Sequence, residues 1–121
     1  MTNTLPTTVG VLGGGRMGAG IAHAFLTSGS NVVVVERDDE AAAAARERVL
    51  RDVTGSVERG KVQGGIADYE AKLTVTTQQE AFADAGLVIE AVPEDFTLKV
   101  SALQSVERHL PDDAYLATNT S

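Results

Sequence analysis

The stretch Thr8-Val9-Gly10-Val11-Leu12-Gly13-Gly14-Gly15-Arg16-Met17-Gly18-Ala19-Gly20-Ile21-Ala22 limits what this chain can fold into more than any other. A short apolar run enters a glycine cluster, and a small-residue helix leaves it. Gly13, Gly15 and Gly18 stand in G-x-G-x-x-G register. In a strand–turn–helix unit, the first glycine makes the tight turn. The second leaves room for a pyrophosphate to approach the backbone, and the third lets the helix pack closely on the strand. The helix N-terminus then presents N–H groups and a partial positive charge to phosphates.

The rest of the chain supplies the context this motif needs. Val9 to Leu12 reads as the first strand. In the helix from Arg16, the residues Met17, Ile21, Ala24 and Phe25 fall on one face at helical spacing, and Gly29-Ser30 ends it. Asn31 to Glu36 is the second strand. Its run Val32-Val33-Val34-Val35 is continuous rather than alternating, as expected of a strand covered on both faces in a parallel sheet. Glu36, 18 residues after Gly18, stands where the motif places an acid for the adenosine ribose hydroxyls. Arg37 beside it could instead receive a 2′-phosphate, but Glu36 would repel that group, which favours NAD over NADP.

Asp38 and Asp39 are N-cap candidates for a long helix. Its apolar stripe is Ala42, Ala45, Val49, Val53 and Val57, with Arg46, Arg48, Arg51 and Glu58 on other faces and an end near Gly60. A shorter helical piece follows from Ile66 to Lys72, then a strand from Leu73 to Thr76 and a short helix or turn from Gln78 to Ala83. Leu87 to Val92 is a fourth strand with Glu90 inside it, as a buried carboxylate or as part of a ligand floor. Pro93 ends it. Phe96, Val100, Leu103, Val106 and Leu110 describe another amphipathic helix, and Ala114 to Thr118 a fifth strand.

This alternation predicts an α/β fold: a Rossmann-type, doubly wound open parallel sheet in three αβα layers, one domain over residues 1–121. A ligand is expected across the carboxyl ends of the strands, between the first and the fourth.

Composition narrows the function. The net charge of −7 disfavours nucleic acid, and with no tryptophan a base-stacking platform is not expected. The absence of cysteine excludes disulfides and thiol catalysis and fits a reducing, cytoplasmic setting. No apolar run approaches the roughly 20 residues of a membrane span, and the first residues do not read as a signal peptide. His23 and His109 both read as ordinary helix-surface residues, far apart in sequence, so no metal site is expected.

Three segments, in order, resemble the L-3-hydroxyacyl-CoA dehydrogenase family: Gly10 to Ala22, then Val88-Ile89-Glu90-Ala91-Val92-Pro93-Glu94 with Lys99 beyond, then Ala117-Thr118-Asn119-Thr120-Ser121. The first is shared with many dehydrogenases, and the other two are more selective. The resemblance implies an NAD-binding domain of an enzyme that oxidises the 3-hydroxyl of an acyl-CoA, of the 3-hydroxybutyryl-CoA type. It implies cofactor contacts at Gly13, Gly14, Gly15, Arg16, Met17, Gly18, Glu36, Arg37, Ala91, Val92, Glu94 and Lys99. Ser121 matches a serine that touches both the nicotinamide end and the reacting oxygen, and Asn119 matches a residue shaping that corner. The helical excursion after the second strand contributes CoA contacts in the family, which points to Arg59 and Lys61.

The sequence departs from the family at Gly14, where alanine is common, at Arg16, where a small hydroxyl residue is common, and at Gly86, which replaces an aspartate. The family's all-helical domain, with its catalytic His–Glu pair and dimer interface, has no counterpart in these 121 residues. The chain alone is therefore expected to bind NAD but to be nearly inactive, and a full-length form to be a homodimer. A related dehydrogenase of a sugar acid or carnitine, and a non-catalytic dinucleotide-binding module, stay open as alternatives.

Overall fold

The computed structural model describes residues 7–91 and 109–110, and the backbone of 115–118. Five strands, β1 (Thr8–Leu12), β2 (Asn31–Val35), β3 (Leu73–Thr76), β4 (Leu87–Glu90) and β5 (Tyr115–Thr118), form one sheet in the order β3-β2-β1-β4-β5. Every pairing is parallel. Among the described residues, three helices, α1 (Arg16–Thr27), α2 (Asp39–Glu58) and α3 (Ile66–Glu70), and a 3-10 helix (Gln79–Asp84) lie between β1 and β4. This is the expected α/β architecture. The helix anticipated between the fourth and fifth strands lies outside the described residues, apart from His109 and Leu110 at its end.

The valine run explains the layering. Successive strand residues point to opposite faces. Val32 and Val34 accordingly join Val11, Ala19, Ala22, Leu26, Ala45, Val49 and Val53 in one core beneath α1 and α2. Val33 and Val35 join Leu12, Phe82, Ala85 and Val88 in a second core on the other face, with Leu110 packed against it. A strand apolar on both sides is stable only between two such layers.

Local signals set the element ends. The Asp38 carboxylate accepts from the Ala41 N–H at 2.7 Å and caps α2, as its position predicts. Gly29, just past α1, has φ 110°, a left-handed conformation that glycine adopts without penalty. At Gly10 the constraint is space. An ideal Cβ there would lie 2.5 Å from the Phe82 ring, so β1 is thinned where the 3-10 helix packs on it.

One expectation fails in α1. The buried face is Gly18, Ala19, Ala22 and Leu26, whereas Met17 and Ala24 are exposed. Ile21 and Phe25 are only half-buried. The reason is proximity. A helix leaving a glycine turn starts too close to the sheet for large side chains, so Gly18, Ala19 and Ala22 face inward in its first turns, and a large residue, Leu26, is buried only toward its far end. His23 is also not a plain surface residue: its Nε2 lies 2.7 Å from the Ser56 hydroxyl and joins α1 to α2.

Candidate nucleotide site at the carboxyl ends of β1 and β2

The order β3-β2-β1-β4-β5 puts the change of winding direction between β1 and β4, and ligands of open α/β sheets lie outside the strand ends at such a point. The glycine turn occupies this place. Its Gly13 has φ 98°, and the Gly13 N–H donates to the Val35 carbonyl at 2.9 Å. The turn is thereby tied to the last residue of β2. Beside it, the Ala91 N–H donates to the Leu12 carbonyl at 2.8 Å and carries the β1–β4 ladder one residue past Glu90. Glu90 itself is fully buried, paired in register with Leu12 and Thr118. It is a buried carboxylate closing β4 at the carboxyl end of the strand.

Glu36 follows β2 directly. Its carboxylate accepts from the Gly14 N–H at 2.5 Å and from the Arg37 N–H at 3.1 Å. The acid at the end of the second strand therefore grips the middle of the glycine turn. A trans peptide holds its N–H and C=O on opposite sides. Turning the Gly14 N–H toward Glu36 aims the Gly13 carbonyl the other way, onto α1, where an ideal Cβ on Gly18 would sit 1.9 Å from that oxygen. The third glycine of the motif is thus demanded by the orientation of the first. Around Gly15, by contrast, an added Cβ would meet nothing within 4 Å. This residue is the N-cap of α1 and brings no side-chain cap to the helix's first turn.

Gly14 answers a different neighbour. An ideal Cβ there would lie 2.3 Å from the Ala45 Cβ and 3.2 Å from Val34. The departure at Gly14 is therefore matched to the methyl that α2 presents.

The remaining site residues divide clearly. Arg16 opens α1, is exposed, and lines a cleft of about 260 Å³ with Ala19, Arg48, Arg51 and Asp52. Arg37 is exposed and its Nε lies 3.5 Å from the Asp38 carboxylate. Met17 is 44% exposed beside the turn. Arg59 and Lys61 are exposed at the far end of α2. Arg59 lies 11 residues beyond Arg48, about 16 Å along the helix axis, so the structure does not bring them to the turn. Val92, Glu94, Lys99, Asn119 and Ser121 lie outside the described residues. Sequence reasoning missed Arg48, whose Nη1 donates to the Gly14 carbonyl at 2.9 Å. No local pattern signals it, because the contact depends on how α2 is seated against the turn. Among the described residues no group of three His, Asp or Glu is placed to hold a metal ion, and no helix is long and apolar enough to cross a membrane.

Known proteins share this fold and this stretch of sequence. Residues 8–121 match the family described as 3-hydroxyacyl-CoA dehydrogenase, NAD binding domain. A 3-hydroxybutyryl-CoA dehydrogenase of Mycobacterium tuberculosis is 39% identical over 115 residues, which is 93% of this chain and 40% of that protein. The glyoxysomal fatty acid beta-oxidation multifunctional protein MFP-a of Cucumis sativus is 35% identical over 114 residues, 93% of this chain and 16% of that one. Among solved structures, M. tuberculosis FadB2 superposes with a TM-score of 0.89 at 37% identity, covering 98% of this chain and 42% of the other. The chain thus spans about two-fifths of the length of the relative it matches at 39% identity. A Rossmann sheet, an acid at the end of its second strand, a glycine turn open at Gly15 and a family match over residues 8–121 together show that the chain belongs to the 3-hydroxyacyl-CoA dehydrogenase family, as its NAD-binding domain.

Proposed function

We propose that this chain is the cofactor-binding half of a dehydrogenase acting on the 3-hydroxyl of an acyl-CoA, of the 3-hydroxybutyryl-CoA type. The observation that carries the reading is the Gly14 N–H held by the Glu36 carboxylate at 2.5 Å. That bond sets the acid at the ribose end of a turn whose Gly15 face is open. In this reading Gly13 to Gly18 receive the pyrophosphate, aided by the cation of Arg16, and Glu36 accepts from the adenosine ribose hydroxyls. Arg37 stays engaged with Asp38 and does not claim a 2′-phosphate. By the family resemblance, Ala91 and Val92 are assigned to the cofactor, Glu94 and Lys99 to its nicotinamide half, Ser121 to the reacting oxygen and Asn119 to the shaping of that corner. Bound NAD supplies the hydride acceptor.

Hydride transfer also needs a base for the hydroxyl proton. His23 is committed to Ser56 across the α1–α2 contact, and by the family resemblance we assign the base to a His–Glu pair that has no counterpart in residues 1–121. The exposed Arg59 and Lys61 at the end of α2 suit the phosphates of CoA, and the assembled enzyme is read as a homodimer in a reducing compartment.

Calorimetric titration of the chain with NADH and with NADPH tests the reading. We expect NADH to bind and NADPH to bind at least tenfold more weakly, because Glu36 repels a 2′-phosphate. Equal or reversed preference would overturn the Glu36 assignment. No binding of either would overturn the site.

A further inference from the structure

We propose that Arg48 is a positioning residue for the cofactor, acting through the Gly14 peptide. The inference rests on the nucleotide reading above and adds a residue to it. Gly14 is held from both sides: its N–H donates to Glu36 at 2.5 Å, and its carbonyl accepts from Arg48 Nη1 at 2.9 Å. The two anchors come from different elements, the end of β2 and the middle of α2. Each sets one peptide plane. Glu36 orients the Gly13–Gly14 unit, and Arg48 orients the Gly14–Gly15 unit. In the second unit, a carbonyl drawn toward α2 turns the Gly15 N–H away from α2, and an ideal Cβ on Gly15 would meet nothing within 4 Å, so the backbone there is open to a ligand. That N–H is the first donor a pyrophosphate would meet at the N-terminus of α1.

Without Arg48 the Gly14 carbonyl loses the side-chain donor that holds this plane, and glycine on either side of it resists rotation weakly. The cost then falls on ligand binding, which must order the peptide each time. Arg51 lines the same cleft as Arg16 and Arg48, but its guanidinium pairs with Glu47 at 3.2 Å and is not on the turn. It therefore separates two explanations. If charge alone mattered, the two arginines would be similar; if the bond to Gly14 matters, they differ.

The test is NADH titration of the chain and of Arg48→Met, Arg48→Lys and Arg51→Met, with the thermal midpoint of each. A lost charged hydrogen bond of this kind predicts about tenfold weaker binding in Arg48→Met. We expect partial recovery in Arg48→Lys, a change under about twofold in Arg51→Met, and midpoints close to the parent, since Arg48 is exposed. Undiminished binding in Arg48→Met would overturn the proposal, as would equal losses in Arg48→Met and Arg51→Met, which would leave only a charge effect. Should Arg48→Met not fold, Arg48→Lys and Arg51→Lys decide: several-fold weaker binding in the first alone supports the proposal, and parity overturns it. A parent chain that binds no NADH would sink the underlying nucleotide reading, an outcome distinct from normal binding with an indifferent Arg48.

Discussion

Gly14 and Ala45 touch with no room for a methyl between them: an ideal Cβ on Gly14 falls 2.3 Å from the Ala45 Cβ. The glycine turn therefore rests on α2 as well as on β2, and the two positions are one packing unit. Gly14→Ala should cost about 1–3 kcal/mol by overpacking. Ala45→Gly alone should cost about 1 kcal/mol of helix propensity. Together they should cost clearly less than the sum, because each removes the other's clash. Urea unfolding of the four chains measures the coupling, and strict additivity would refute the contact.

Gly18 and Gly20 give a sign test within one helix. Replacing glycine by alanine in a helix interior gains about 1 kcal/mol when there is space. Gly20 has nothing within 4 Å, so Gly20→Ala should stabilise. At Gly18 the new Cβ would meet the Gly13 carbonyl at 1.9 Å, a backbone atom that cannot swing aside. Gly18→Ala should destabilise by at least about 1–3 kcal/mol and abolish NADH binding at micromolar concentrations. Opposite shifts of the unfolding midpoint are the expected result.

Glu36 should matter more for binding than for folding. Glu36→Ala removes the acceptor of the Gly14 and Arg37 N–H groups. A charged hydrogen bond of this kind contributes about 1.5–3 kcal/mol. We expect NADH to bind more than tenfold more weakly and the preference over NADPH to narrow, as read by parallel titrations. A variant that kept both affinities would contradict the role given to the carboxylate.

The His23–Ser56 contact should be structural. Ser56 is 3% exposed, and its hydroxyl lies 2.7 Å from His23 Nε2. Ser56→Ala should lower stability by about 0.5–1.5 kcal/mol and leave NADH affinity unchanged. Loss of affinity with stability intact would assign His23 to the site instead.

The valine run of β2, the glycine register, the N-cap at Asp38 and the apolar stripe of α2 were legible in the sequence because each is a local rule. Alternation, conformational freedom and capping depend on neighbours within a few residues, and the parallel sheet followed from them. The nucleotide-site reading of Gly13 to Gly18 and Glu36 rests on the same kind of local rule. What tertiary structure alone decided concerns facing elements. The inward face of α1 is set by its closeness to the sheet, which reversed the expectation for Met17 and Ala24. Gly14 is matched to Ala45, 31 residues away, and Arg48 reaches its carbonyl from the same helix. Such pairings depend on the distance and rotation between packed elements, and no periodicity within one element carries that information.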